Sequence, residues 1–122
     1  MEKSTNPKDL AAVARVPLDL LPPGAMVELA RVLQYGATKY GRYNWRAAGV
    51  RPEVYLGAAL RHLFRWAAGE DVDRDSGHHH LAHVMACCAI VLDAQHAGML
   101  LPWAPESRAE SVASHVAAAL GS

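Results

Sequence analysis

The chain has 122 residues, 52% of them hydrophobic, and its twelve bases balance its twelve acids. That is enough apolar material for one domain with a real core, and it excludes disorder throughout. The even charge argues against stable nucleic-acid binding, which draws on a basic excess.

The N-terminal stretch MEKSTNPKDL has no apolar core of the kind a secretory leader carries. The longest uncharged apolar run, VMACCAIVL at 84–92, is too short to span a bilayer. The two cysteines, Cys87 and Cys88, are adjacent and are read as reduced thiols. A cytoplasmic protein with no membrane partner is the expectation.

Residues 1–21 are rich in proline breaks and predict an irregular arm, with a short turn near Asp9–Ala14. The first strong helix opens at Pro23, a residue suited to a first helical position. Met26, Leu29, Ala30, Leu33 and Ala37 repeat at threes and fours, and Gly41 can end the run. Residues 41–50 predict a loop. Pro52 and Glu53 then open a second helix, which runs to Gly69. Leu56, Leu60, Leu63 and Ala67 form its expected core stripe, with Tyr55, Ala59, His62 and Trp66 on the adjacent face.

The turn GEDVDRDSG follows, and Asp75 or Ser76 can cap a third helix over about 78–97, closed by Gly98. That helix is apolar nearly all round after Leu81, the pattern of a central, buried element. Past a proline-bounded break, Ser107 to Glu110 matches a capping box for a last helix over 107–120. No strand pattern survives. The class is all-α: three main helices and a short C-terminal one. Helices with such broad apolar faces cover little of one another in a short chain, so a homo-oligomer, dimer or tetramer, is expected.

Charge is segregated along the chain. Residues 31–65 hold seven bases against Glu53 alone, and residues 66–95 hold five acids against Arg74 alone. A basic wall facing an acidic turn suits a metal-bound polyphosphate; two solvated faces are the competing reading. In the segment DRDSGHHHLAH, His80 and His83 share a helix face, and His79 also pairs with His83. Such a pair binds a divalent metal, donates to an anion at a helix start, or simply decorates a surface. The acids Glu70, Asp71 and Asp73 suit Mg²⁺ or Mn²⁺ with phosphate, although the turn fails as a calcium loop at Ser76 and Ala82. His62 lies mid-helix, where packing and chemistry compete as explanations. Glu28, Val32, Tyr35 and Lys39 share one face, with Glu28 either a working acid or an exposed one. No phosphate-binding P-loop and no serine elbow occur.

Several stretches together resemble a known family: NPKDL (6–10), PLDLLPP (17–23), GATKYGRYNWR (36–46) and ALRHLFRWAAGEDVDRDSGHHHLAHVMACCAIVLDA (59–94). In order and spacing they resemble the dATP/dGTP diphosphohydrolase domain family of phage and bacterial genomes, itself similar to the all-α MazG-like pyrophosphohydrolases. The resemblance covers about residues 6–100. It implies a domain over 1–103, with 104–122 as a tail. It implies hydrolysis of a purine (deoxy)nucleoside triphosphate to monophosphate and pyrophosphate, assisted by Mg²⁺ or Mn²⁺. Read onto this chain, the metal candidates are Glu70, Asp71, Asp73 and His80. The catalytic candidates are Glu28, His62, His80 and His83. The substrate-binding candidates are Lys39, Asn44, Trp45, Arg61 and Arg65. The MazG-like carboxylate pattern itself is missing, and His80-x-x-His83 stands where its second acidic pair belongs. An HD-type triphosphohydrolase and a non-catalytic helical module that binds nucleotide or metal are the alternatives; the chain has no His-Asp doublet.

Overall fold

The fold is described from a computed structural model, over residues 5–13, 15–104 and 116–121. Its elements are α1 (Pro7–Val13), a 3-10 turn (Leu18–Leu20), α2 (Pro23–Tyr40), α3 (Asn44–Ala48), α4 (Pro52–Ala67) and α5 (His80–His96). No strand occurs among the described residues, and two isolated bridges join Val50 to Leu100 and Val72 to His79. The all-α class expected from the sequence is what the chain adopts. Among the described residues, no helix is long and apolar enough to cross a membrane.

The three main helices begin and end for the reasons their sequences give. Pro23 and Pro52 occupy first helical positions of α2 and α4, where the missing N–H costs nothing. Gly41 follows α2 at φ 91°, a left-handed angle that L side chains resist. Three details differ from the sequence reading. The arm contains a true helix, α1, where a short turn was expected. The expected loop at 41–50 contains the five-residue α3, entered through Tyr43 in the left-handed region at φ 53°. The third helix starts at His80, capped by His79, whose Nδ1 accepts the Leu81 N–H at 3.0 Å. Asp75 and Ser76 do not cap it, because their turn is closed before the helix begins. The capping box at Ser107–Glu110 lies outside the described residues, while 116–120 are helical.

α5 is the hub, packed by α4, α2 and α3. Beyond His80, its buried positions are small, Ala82, Ala86 and Ala94, so neighbouring helices approach closely. Val32 of α2 seats against Ala82 and Ala86, with Leu29, Leu33 and Met85 at the margin. Burying a side chain of that size contributes roughly 1.5–3 kcal/mol. The hydrophobic stripe of α4 is the surprise. Leu56 and Leu60 face outward, and the face carrying Tyr55, Ala59 and His62 turns toward α5 instead. That rotation brings His62 to the site.

Candidate metal centre

The turn between α4 and α5 is a closed structure. The Asp73 N–H donates to the His78 carbonyl and the His80 N–H donates to the Asp71 carbonyl, each at 2.8 Å. The Gly77 N–H returns to the Asp73 carbonyl, at a glycine whose φ of 76° only that residue type adopts freely. Inside the turn, Asp73 Oδ1 accepts the Asp75 N–H at 2.8 Å, and Ser76 Oγ accepts the His78 N–H at 3.1 Å. These local bonds are the ones aspartate and serine habitually offer a turn. They fix the acids and set the first turn of α5 beside them.

Three ligand-type atoms converge there: one each from His62, Asp73 and His80, all within 4.8 Å of one another. His62 comes from α4, Asp73 from the turn and His80 from the start of α5. His62 Nδ1 lies 2.8 Å from His80 Nδ1, and 3.7 Å from Asp73 Oδ2. His80 is fully buried, at 0% exposure, and Asp73 is nearly so. A buried polar group without partners is costly, so such convergence needs a cause.

Glu70 supplies part of it. Its Oε1 accepts the His80 Nε2–H at 2.9 Å. With that proton placed on Nε2, a neutral His80 leaves Nδ1 bare and turned toward His62 and Asp73. This is how outer carboxylates orient metal-binding imidazoles. His83 adds a second layer. Its ring stacks on His62 with centroids 4.4 Å apart and planes 4° from parallel. Its Nε2 is 2.6 Å from Ser76 Oγ and 3.8 Å from Asp73 Oδ2. Tyr35 of α2 packs edge-on against both His78 and His83.

Burial favours the neutral forms of His62 and His83. Desolvation pushes His83 down to about 4, with His62 adding to the effect. His62 is also lowered, by desolvation first, against the pull of Asp73. Burial alone raises the Asp73 carboxyl, but the Asp75 N–H, His83, the Ser76 N–H and His62 together bring it below the usual carboxylate range. Once the proton between the two Nδ1 atoms is released, two imidazole nitrogens and an ionised carboxylate oxygen would be in the state in which such groups ligate metal.

The remaining candidates are placed as follows. Glu70 and Asp73 line a cleft of ≈ 310 Å³ with Arg65, Arg74 and Asp75. Asp71 is exposed and contributes its carbonyl to the turn. Lys39 reaches over the Tyr35 ring, 4.3 Å from its centroid, and is held above its ordinary value by the Tyr35 hydroxyl. Arg61 lies over Gly57 on its own helix. Glu28 is exposed on α2, and Asn44 opens α3. Trp45 is elsewhere engaged: its Nε1–H donates to Asp93 Oδ2 at 2.7 Å, beside the Arg46 guanidinium, which binds both Asp93 oxygens. Sequence reasoning missed Arg74 at the cleft and Ser76 as the partner of His83. The seven-residue spacing from Ser76 to His83 gives no helical signal, because the helix starts between them.

Comparison with known proteins gives the family. The model of the family described as "dATP/dGTP diphosphohydrolase, N-terminal" matches residues 5–102. The chain belongs to that family. The matched range holds α1 through α5, including every residue of the cluster. A curated relative, the dATP/dGTP diphosphohydrolase of Salmonella phage PMBT28, is 42% identical over 69 residues. That stretch is 57% of this chain and 23% of the relative, so the match spans about a quarter of the relative's length. No solved structure matches the chain.

Proposed function

We propose that this chain carries the hydrolytic centre of a metal-dependent (d)NTP diphosphohydrolase that splits dATP or dGTP into monophosphate and pyrophosphate. The convergence of His62, Asp73 and His80 is the observation that carries the reading. The family, and the activity named for the phage relative, supply the substrate class.

A divalent ion held by His62 Nδ1, His80 Nδ1 and Asp73 Oδ2 would supply positive charge to phosphate oxygens and acidify a water. Two nitrogens and one oxygen suit Mn²⁺ better than Mg²⁺, which takes oxygen ligands and keeps its waters. Glu70 holds the His80 tautomer. His83, kept neutral, is a hydrogen-bonding neighbour rather than a counter-charge for phosphate. Arg65 and Arg74 flank the cleft that leads to Asp73 and Glu70, where they are placed to neutralise the triphosphate. Phosphoryl transfer needs this positioning and charge balance more than covalent help.

The test is to incubate the full chain with each dNTP and rNTP, with Mn²⁺ or Mg²⁺, and resolve the products by ion exchange. Monophosphate plus pyrophosphate, from a deoxypurine substrate and best with Mn²⁺, is the expected outcome. Nucleoside plus tripolyphosphate would replace the reading with a triphosphohydrolase. Nucleotide binding without any turnover would reduce the chain to a binding module.

A further inference from the structure

We infer that the chain holds a second nucleotide site, in a cleft lined by α2, α3 and α5 and separate from the metal cluster. The cleft measures ≈ 760 Å³, within the roughly 300–1,000 Å³ of small-molecule sites. None of His62, Glu70, Asp73, His80 and His83 lines it. Ile90, in its wall, follows His80 on α5 by about 15 Å along the helix axis. The inference stands on the cleft's own residues and not on hydrolysis at the cluster.

Its charge is lopsided. Among the described residues, Arg31, Arg42 and Arg46 line the cleft against a single acid, Asp93. Asp93 is already spent, because Arg46 binds both of its oxygens. Arg31 on α2 and Arg42 before α3 are exposed, and neither has an ion-pair partner among the described residues. Two uncompensated guanidiniums on one cleft call for an anion, and their planar forks match phosphate oxygens.

Two aromatic rings supply the other half of the site. The Trp45 N–H goes to Asp93, which fixes the indole and leaves its faces for packing. Tyr43 meets that indole edge-on, with centroids 5.5 Å apart, and the Arg46 guanidinium lies 4.2 Å over the Tyr43 ring. Tyr43 takes a left-handed φ of 53°, a costly conformation for a residue with a side chain, and its ring stays half-exposed. Ala30, Leu33 and Ile90 add apolar surface. Rings held in place beside cations stack flat heterocycles, whatever the base. A base joined to phosphates is the ligand that uses both features; an inorganic anion would use the arginines alone.

The test is calorimetric titration of the full chain with dGTP in EDTA, which withholds divalent ions from the cluster. One dGTP per chain is expected. Arg31→Ala and Arg42→Ala should each weaken binding by about 10-fold, the loss of one charge-assisted contact. Tyr43→Gly removes the ring but suits the left-handed backbone, and should weaken binding by a similar factor. Circular dichroism checks that each variant is folded. Arg74→Ala, at the cluster's own cleft, should bind as wild type does, and inorganic tripolyphosphate should bind more weakly than dGTP. In Mn²⁺-dependent turnover, Arg31→Ala and Arg42→Ala should leave KM unchanged. Absence of metal-free binding overturns the second site, as does binding lost in Arg74→Ala but kept in both other arginine variants. Tripolyphosphate bound as tightly as dGTP overturns the nucleotide assignment. A KM that rises as metal-free binding falls overturns the separation of the two sites. Metal-free binding without any turnover in Mn²⁺ would strike the hydrolytic reading and leave this one standing.

Discussion

α5 carries a polar cluster at each end, and the two are built on opposite principles. At its C-terminal end, Asp93 is saturated: Oδ2 accepts Trp45 Nε1–H and Arg46 Nε–H, and Oδ1 accepts Arg46 Nη2–H, all within 2.8 Å. Arg46 first, then Trp45, holds the Asp93 carboxyl down to about 2. Both oxygens of the carboxylate have found donors, and the result is a clamp that ties α3 to α5. At the N-terminal end two imidazole nitrogens share one proton across 2.8 Å beside a carboxylate. His62, His80 and Asp73 are crowded together while Glu70 occupies the single outward proton of His80. Charge satisfied from within makes a strut, and two imidazoles sharing one displaceable proton beside a carboxylate make a seat for a cation.

The comparison is easiest to break at the seat. Asp73→Asn keeps the side chain's size and its acceptor for the Asp75 N–H but removes the charge. Turnover and Mn²⁺ affinity should fall by more than about 100-fold, beyond the 10–100-fold typical of an outer partner. Pyrophosphate release and the free-Mn²⁺ electron paramagnetic resonance signal measure the two losses; wild-type Mn²⁺ binding would remove Asp73 from the seat. Glu70→Gln should weaken Mn²⁺ binding by about 10–100-fold, as loss of an orienting carboxylate does. An unchanged titration would leave the His80 tautomer without need of Glu70.

The strut should respond in the other currency. Asp93→Ala is expected to lower the melting temperature by a few degrees and leave Mn²⁺ binding intact. A large loss of metal affinity with no thermal change would erase the contrast between the two ends.

The smallest expected effect is a pH slope. His83 is held near 4 in the fold against an ordinary 6.5, so the unfolded chain takes up this proton first. Its contribution to stability is complete above pH 6.5, declines as pH falls toward 4, and is gone below that. His62, lowered in the same sense, adds to the decline. The metal-free protein should therefore melt progressively lower across that window. His83→Gln should flatten the slope, and an undiminished slope would place its origin elsewhere.

Much of the scaffold is legible from residues alone. Pro23, Pro52 and the glycines at 41, 69 and 98 bracket three helices, because they act through the local backbone. The acids and histidines of 70–83 read as one turn-to-helix unit, and so they are. Rotation about a helix axis is another matter. Periodicity places Leu56 and Leu60 on the apolar stripe of α4, yet it does not say which of two adjacent faces meets α5. His62 therefore stays open between packing and chemistry until α5 is in place. Trp45 shows the same limit: an aromatic in a basic loop suggests a nucleotide contact, and only the chain fold shows that Asp93, 48 positions away, takes its N–H. The start of α5 is displaced because Asp73 and Ser76 spend their acceptors inside the turn.

The bridge between Val50 and Leu100 has a practical bearing on how such a domain is handled. The Val50 N–H donates to the Met99 carbonyl and the Leu101 N–H donates back to the Val50 carbonyl. The two bonds join the entry of α4 to the chain leaving α5, and so they fasten the hairpin that holds the cation seat. The fastening reaches Ala104, whose N–H donates to Glu53 Oε2 at 3.4 Å. A second protein fused beyond residue 104 would hang from a latched hinge-pin, not from the working parts, which makes this junction the natural place to graft another module.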